Sequence, residues 1–134
     1  MERPLVCVSG AFDKLHTGHI ELLTYAETFK GLTGNLIVLL NSNDYVIAKG
    51  HSDQNSDWYI RAEKLLKYKC INGILKIDND PTSILELLKP DFFVVGSDYK
   101  IEDIKGLEFI KTLVITPRPK DGPSSTKIAK QFKN

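Results

Sequence analysis

The sequence predicts an α/β fold: a five-stranded parallel sheet, doubly wound, with helices on both faces. Three observations carry this. Short apolar runs alternate with amphipathic stretches along all 134 residues. The apolar runs are continuous rather than alternating, the pattern of strands covered on both sides. No linker, repeat or low-complexity segment interrupts them, so residues 1–134 are expected to form one domain.

The elements follow in order. "LVCVS" (5–9), apolar and bounded by Pro4 and Gly10, predicts the first strand. Leu15, His19, Leu22, Leu23, Ala26 and Phe29 then share one helical face, from a start near His16 to a stop at Gly31. "NLIVLLN" (35–41) is the second strand, and the polar stretch 42–56 is read as a loop. A helix from about Asp57 has Ile60, Leu65, Leu66 and Tyr68 available to face inward. "GILKI" (73–77) is the third strand. Asp80 and Pro81 supply an N-cap and a first-turn residue for a helix over 81–89, which stops before Pro90. "FFVVG" (92–96) and "TLVITP" (112–117) complete the sheet, and a short helix over 124–132 follows.

Right-handed crossovers make such a chain doubly wound. With the Rossmann-like strand order 3-2-1-4-5, strands 1 and 4 are neighbours at the switch point, where ligands bind beyond the carboxyl ends of the strands. The polar segments "SGAFDKLHTGH" and "GSDYK" follow those two strands.

The totals narrow the function classes. A formal net charge of +1 gives no global field toward nucleic acid or a membrane surface. Cys7 and Cys70 lie in apolar surroundings without metal or redox spacing, and are read as buried thiols of a reducing cytoplasm. No run approaches a membrane span or a signal peptide, so a cytoplasmic location is expected.

The segment after strand 1 holds the chemistry. Gly10 lets the chain leave the strand close past a ligand. The helix N-terminus that follows offers unpaired N–H groups and partial positive charge, which suit a phosphate. His16 and His19, three residues apart, share a face of the first turn, and Gly18 between them leaves room for approach. Two imidazoles there can each donate to one phosphate. A zinc site would need a third ligand that the neighbourhood lacks. A nucleophilic histidine, or one His capping and the other packing, remain open readings of these residues.

"GAFDKLHTGH" resembles the G-x-F-D-x-x-H-x-G-H signature of the cytidylyltransferase-like nucleotidylyltransferases. The likeness runs along nearly the whole chain. "LNSND" (40–44), "DWYIRAEKL" (57–65), "PDFFVVGSDYKIEDIKG" (90–106) and "DGPSSTKI" (121–128) resemble segments of the adenylyltransferase domain of ADP-heptose synthases. Glycerol-3-phosphate cytidylyltransferases share the His motif and a similar ending but match less well in the middle.

The resemblance implies transfer of a nucleotidyl group from an NTP to a phosphorylated small molecule, with release of pyrophosphate. It implies that His16 and His19 hold the α-phosphate, and that Gly10, Ala11 and Phe12 line the nucleotide. Lys49 would neutralise the acceptor and α-phosphates, against the alternative of a solvated lysine. Asp13 would serve the acceptor side, and is nearly as well explained as a cap of the turn into the helix. Lys14, where relatives carry an apolar residue, would reach an anionic acceptor, against the alternative of pointing into solvent. Arg61 would bind nucleotide phosphates, against the alternative of an exposed helix residue. Asp98 would read the base or ribose. Ser124, Ser125 and Thr126 would hold the β- and γ-phosphates, with N-capping as a compatible alternative. Mg²⁺ would arrive with the NTP rather than in a protein cage, and the family is commonly homodimeric.

Two departures bear on specificity. Lys14 replaces an apolar residue, and the arginine of a cytidylyltransferase R-T-E-G segment falls on Pro119, with Arg118 one residue earlier. The mid-chain match favours ATP and a heptose 1-phosphate-like acceptor. A CTP-dependent enzyme for glycerol 3-phosphate is the alternative, and a catalytically silent nucleotide sensor is the alternative from another class. The fused kinase domain of the synthases is absent from these residues, so the domain is expected to stand alone.

Overall fold

In the computed structural model, residues 3–13, 15, 17–43, 57–78, 80–97 and 100–116 are described. Their order is β1 (Leu5–Gly10), α1 (Thr17–Lys30), β2 (Asn35–Asn41), α2 (Trp58–Leu65), β3 (Gly73–Ile77), α3 (Thr82–Leu88), β4 (Phe92–Val95) and β5 (Thr112–Ile115). Two 3-10 turns, Ile101–Asp103 and Leu107–Phe109, lie between β4 and β5 and were not expected from the periodicity. The segments 42–56 and 124–132, read above as a loop and a terminal helix, fall largely or wholly outside the described residues.

The strands form one sheet in the order β3-β2-β1-β4-β5, the expected order. Every pairing is parallel. Side chains alternate across the sheet and feed two cores. Val6, Val8, Leu36, Val38, Leu40 and Val94 face α1 and α2, where Leu23, Ala26, Ala62 and Leu65 meet them. Cys7, Leu39, Phe93 and Val95 face the other way, against Leu85 of α3. Both faces are therefore covered, and this is why the strand sequences read as unbroken apolar runs.

Local chemistry sets the ends of the helices. Gly31 takes a positive φ of 65° just past α1, a conformation that favours glycine. The Asp57 carboxylate accepts the N–H of Tyr59 and caps α2. Asp80 accepts the N–H of Thr82 at 2.9 Å, but the N-cap position of α3 falls on Pro81 rather than on the expected Asp80, and the helix spans Thr82–Leu88 rather than 81–89. Pro81 stands at the boundary rather than inside the first turn of α3.

One expectation is corrected. Ile60 and Leu66 do not face inward; they are 38% and 60% exposed. The buried residues of α2 are Arg61, Ala62 and Leu65. The helix is turned so that Arg61, not Ile60, meets the sheet.

Asp91 ties β4 to the start of β1. Its Oδ2 accepts the Leu5 N–H at 2.8 Å, and its own N–H donates to the Leu5 carbonyl at 2.9 Å. The Leu5 N–H bond, helped by Lys111, holds this carboxyl below its ordinary 3.8. A depressed folded-state pKa contributes stability that is present above the unfolded value and is lost as pH falls through the folded value. Asp91→Ala is expected to destabilise the protein by about 1–2 kcal/mol near neutral pH. In urea titrations the gap from the parent should shrink as the pH drops below 3.8. A gap that does not change with pH would show that the carboxylate charge contributes nothing.

Candidate active site

The site is built at the carboxyl end of β1. This strand pairs with β2 on one side and β4 on the other, so the crevice between β1 and β4 is the switch point of the sheet. Gly10 is the last residue of β1, and Ala11, Phe12 and Asp13 make the exit loop. His19 lies in the first turn of α1, which carries no acidic residue there. The helix N-terminus is thus left electropositive beside the strand ends.

Phe12 carries the loop through an unusual conformation. Its φ is +47°, a left-handed value that costs a non-glycine residue about 1 kcal/mol or more. Its side chain is nevertheless 3% exposed. The ring packs against the His19 imidazole, with centroids 4.9 Å apart and planes at 48°. Gly10 makes room for that ring, since a Cβ there would lie 3.1 Å from Phe12 Cε2. The Nδ1 of His19 is buried. Gly10 thus accommodates the Phe12 ring within the protein itself.

Arg61 is the largest fully buried side chain of the described residues, at 1% exposure. The exposed-helix alternative for it is therefore overturned. One guanidinium nitrogen, Nη1, donates to the carbonyls of Ala11 and Asn41, both at 2.8 Å. The other, Nη2, donates to Asn43 Oδ1 at 3.0 Å. Burial pulls the guanidinium below its ordinary pKa, and the charges of Asp13 and Asp57 hold it up. The group stays protonated at physiological pH. Asp13 is itself buried, so its carboxylate acts on Arg61 through a poorly screened interior.

Asn43 extends the network by donating its Nδ2 to Asp57 Oδ1 at 3.3 Å. Trp58 anchors the same helix end, its indole N–H donating to the Leu40 carbonyl at 3.1 Å. Asn41 donates to the Asp78 carbonyl at 2.7 Å, which joins the ends of β2 and β3. Asn41, Asn43 and Asp57 were not singled out from the sequence. The available signal was a run of polar residues directly after an apolar strand, where a buried charge needs partners.

The structure thus brings together Gly10, Ala11, Phe12, Asp13, His19 and Arg61. Lys14, His16, Lys49, Asp98, Arg118, Ser124, Ser125 and Thr126 lie outside the described residues. Among the described residues, no three His, Cys, Asp or Glu side chains converge as a metal site, and no helix is long and apolar enough to cross a membrane. The cysteines are free. Burial pushes the Cys7 thiol up to about 12, where it is unreactive. Cys70 is only half-buried, which corrects the expectation for that residue, and burial raises its pKa as well.

The Rossmann-like order of the parallel sheet and the family match place the domain in the nucleotidyltransferase class. The chain belongs to the cytidylyltransferase-like family, whose model matches residues 7–131. It is 32% identical over 133 residues to the bifunctional protein HldE of Sulfurimonas denitrificans, covering 98% of this chain and 27% of that protein. The chain therefore spans about a quarter of the length of such bifunctional relatives. It is 30% identical over 115 residues to the D-beta-D-heptose 1-phosphate adenylyltransferase of Bordetella bronchiseptica, covering 84% of this chain and 69% of that one. The crystal structure of a lipopolysaccharide core biosynthesis protein from Thermoplasma volcanium shares the fold, with a TM-score of 0.69 at 22% identity, over 84% of this chain and 94% of that one.

Proposed function

We propose that this domain transfers an adenylyl group from ATP to the phosphate of a sugar phosphate, releasing pyrophosphate. The observation that carries the reading is the placing of His19 in the first turn of α1, which follows the carboxyl end of β1, the strand paired with β4. The heptose 1-phosphate adenylyltransferase among its relatives supports the choice of nucleotide and acceptor.

The chemistry suits such a site. An acceptor phosphate is already an anion at neutral pH, so no general base has to create the nucleophile. One of its oxygens forms a bond to the α-phosphorus. The bond from that phosphorus to the bridging oxygen breaks, and pyrophosphate leaves with the electron pair. The protein's task is to align two anions and to meet charge developing on the α-phosphate. In this reading His16 and His19 donate to the α-phosphate, and Lys49 offsets the repulsion between donor and acceptor. Asp98 contacts the nucleoside, and Ser124, Ser125 and Thr126 serve the leaving group. The NTP enters as its Mg²⁺ complex, which neutralises the pyrophosphate.

The test is a matrix of each NTP with Mg²⁺ against hexose and heptose 1-phosphates and glycerol 3-phosphate, followed by pyrophosphate release. Turnover with ATP and a sugar 1-phosphate is expected. Turnover confined to CTP with glycerol 3-phosphate would replace this reading by the cytidylyl one. Nucleotide binding by calorimetry, without turnover for any pair, would make the domain a sensor.

A further inference from the structure

Arg61 is joined to the His motif through one peptide bond. Its Nη1 holds the Ala11 carbonyl at 2.8 Å while also holding the Asn41 carbonyl at 2.8 Å. The Ala11 carbonyl and the Phe12 N–H belong to one rigid peptide plane. Fixing that oxygen fixes the plane from which the Phe12 φ is measured. Phe12 sits at +47°, which it does not prefer, so something must over-determine the loop. Two contacts do so: the Arg61 bond on one side of Phe12 and the burial of its ring on the other. That ring is the surface against which the His19 imidazole rests, 4.9 Å away.

We propose that Arg61 is a positioning residue for His19: through the Ala11 carbonyl it holds Phe12 in its left-handed conformation, and the Phe12 ring in turn sets the orientation of the His19 imidazole. The assignment differs from a direct contact between Arg61 and nucleotide phosphate. The guanidinium is 1% exposed, with two backbone carbonyls and one amide oxygen as acceptors. The planar fork matters, because it reaches two strand ends and Asn43 together, a geometry that a lysine ammonium does not reproduce. The consequence for catalysis rests on the proposed nucleotidyl transfer; the consequence for His19 does not.

The test uses Arg61→Lys, which keeps a buried cation but loses the fork. The first readout is NMR of the His19 ring protons, distinguished from the other two histidines of the chain by a His19→Gln spectrum. The Phe12 ring current shifts those protons in the parent, and their resonances are expected to move in the variant. The second readout is kinetic. kcat is expected to fall on the order of 10²-fold, the usual consequence of a small misplacement of a reacting group. KM for the nucleotide should change by less than about threefold. Unmoved His19 resonances in folded Arg61→Lys would overturn the proposal. So would a raised KM with unchanged kcat, which would make Arg61 a nucleotide ligand. Should that variant not fold, Asn43→Ala removes the acceptor of Nη2 and loosens the same fork; the His19 resonances should move in the same direction, and resonances identical to the parent's would overturn the proposal. The NMR readout needs no turnover, so failure of the link and failure of the transferase reading are told apart.

Discussion

Replacing His19 by alanine is expected to lower kcat by about 10²–10³-fold, with a smaller effect on nucleotide KM. The magnitude is that of removing one preorganised donor from a developing oxyanion, about 3–4 kcal/mol of barrier. His19 occupies the first turn of a helix whose N-terminus has no acidic residue to offset its positive end. Its ring is packed against Phe12, which under the proposed reading would hold the donor in place as charge develops. His16→Ala is expected to show a loss of the same size on the strength of the motif alone. Single-turnover measurements with saturating ATP would separate the chemical step from binding and product release. Near-parental rates in both variants would return the pair to a structural role. The His19 variant should remain folded, because the residue is only half-buried and both hydrophobic cores are formed by other side chains.

The largest effect on stability is expected at Gly34, far from the chemistry. Gly34 is buried between α1 and β2. A Cβ placed there would meet the carbonyl oxygens of Lys30 and Pro4, both backbone atoms that cannot rotate away. Those carbonyls are also in use. The Lys30 oxygen accepts the Gly34 N–H at 3.0 Å, and the Pro4 oxygen accepts the Asn35 N–H at 2.9 Å, which continues the β1–β2 ladder. Gly34→Ala must therefore displace either the end of α1 or the first rungs of the central strand pair. It is expected to destabilise the protein by about 3 kcal/mol, the upper part of the usual overpacking range. In calorimetry that corresponds to a Tm lower by about 10 °C for a domain of this size. Any activity lost at low temperature should be small, because the site lies at the opposite, carboxyl end of β1. A Tm within 2 °C of the parent, a shift of roughly 0.5 kcal/mol, would show that the turn yields without breaking those bonds.

Much of the architecture was legible in the chain. The strands at 35–41 and 73–77 begin and end where expected, because each is an apolar run bounded by polar residues or glycine. Gly31 and Asp80 mark helix ends for reasons confined to their own backbone neighbourhood. The exit from β1 into α1 was also legible, since a strand, a glycine and a helix start follow one another within a dozen residues.

The inward face of α2 was not legible in the same way. Apolar periodicity put Ile60 and Leu66 inside; the fold puts Arg61 there. An arginine reads as exposed in any local window, because burying its charge is costly unless partners are waiting. Its partners are backbone carbonyls 50 and 20 residues away in sequence. Phe12 was illegible for a related reason. Nothing in its side chain announces a positive φ, which is imposed by what holds the loop on either side.

The sequence by itself determined the order of helices and strands, the covered parallel sheet and the family. These depend on periodicity, capping and side-chain identity, which act over a few residues. Only the tertiary structure decided that Arg61 is a buried brace, that Gly10 accommodates the Phe12 ring, and that His19 rests on that ring. Each of these contacts is made where chain segments meet at the end of the sheet, and close packing, rather than local preference, chooses among the positions that a side chain can take.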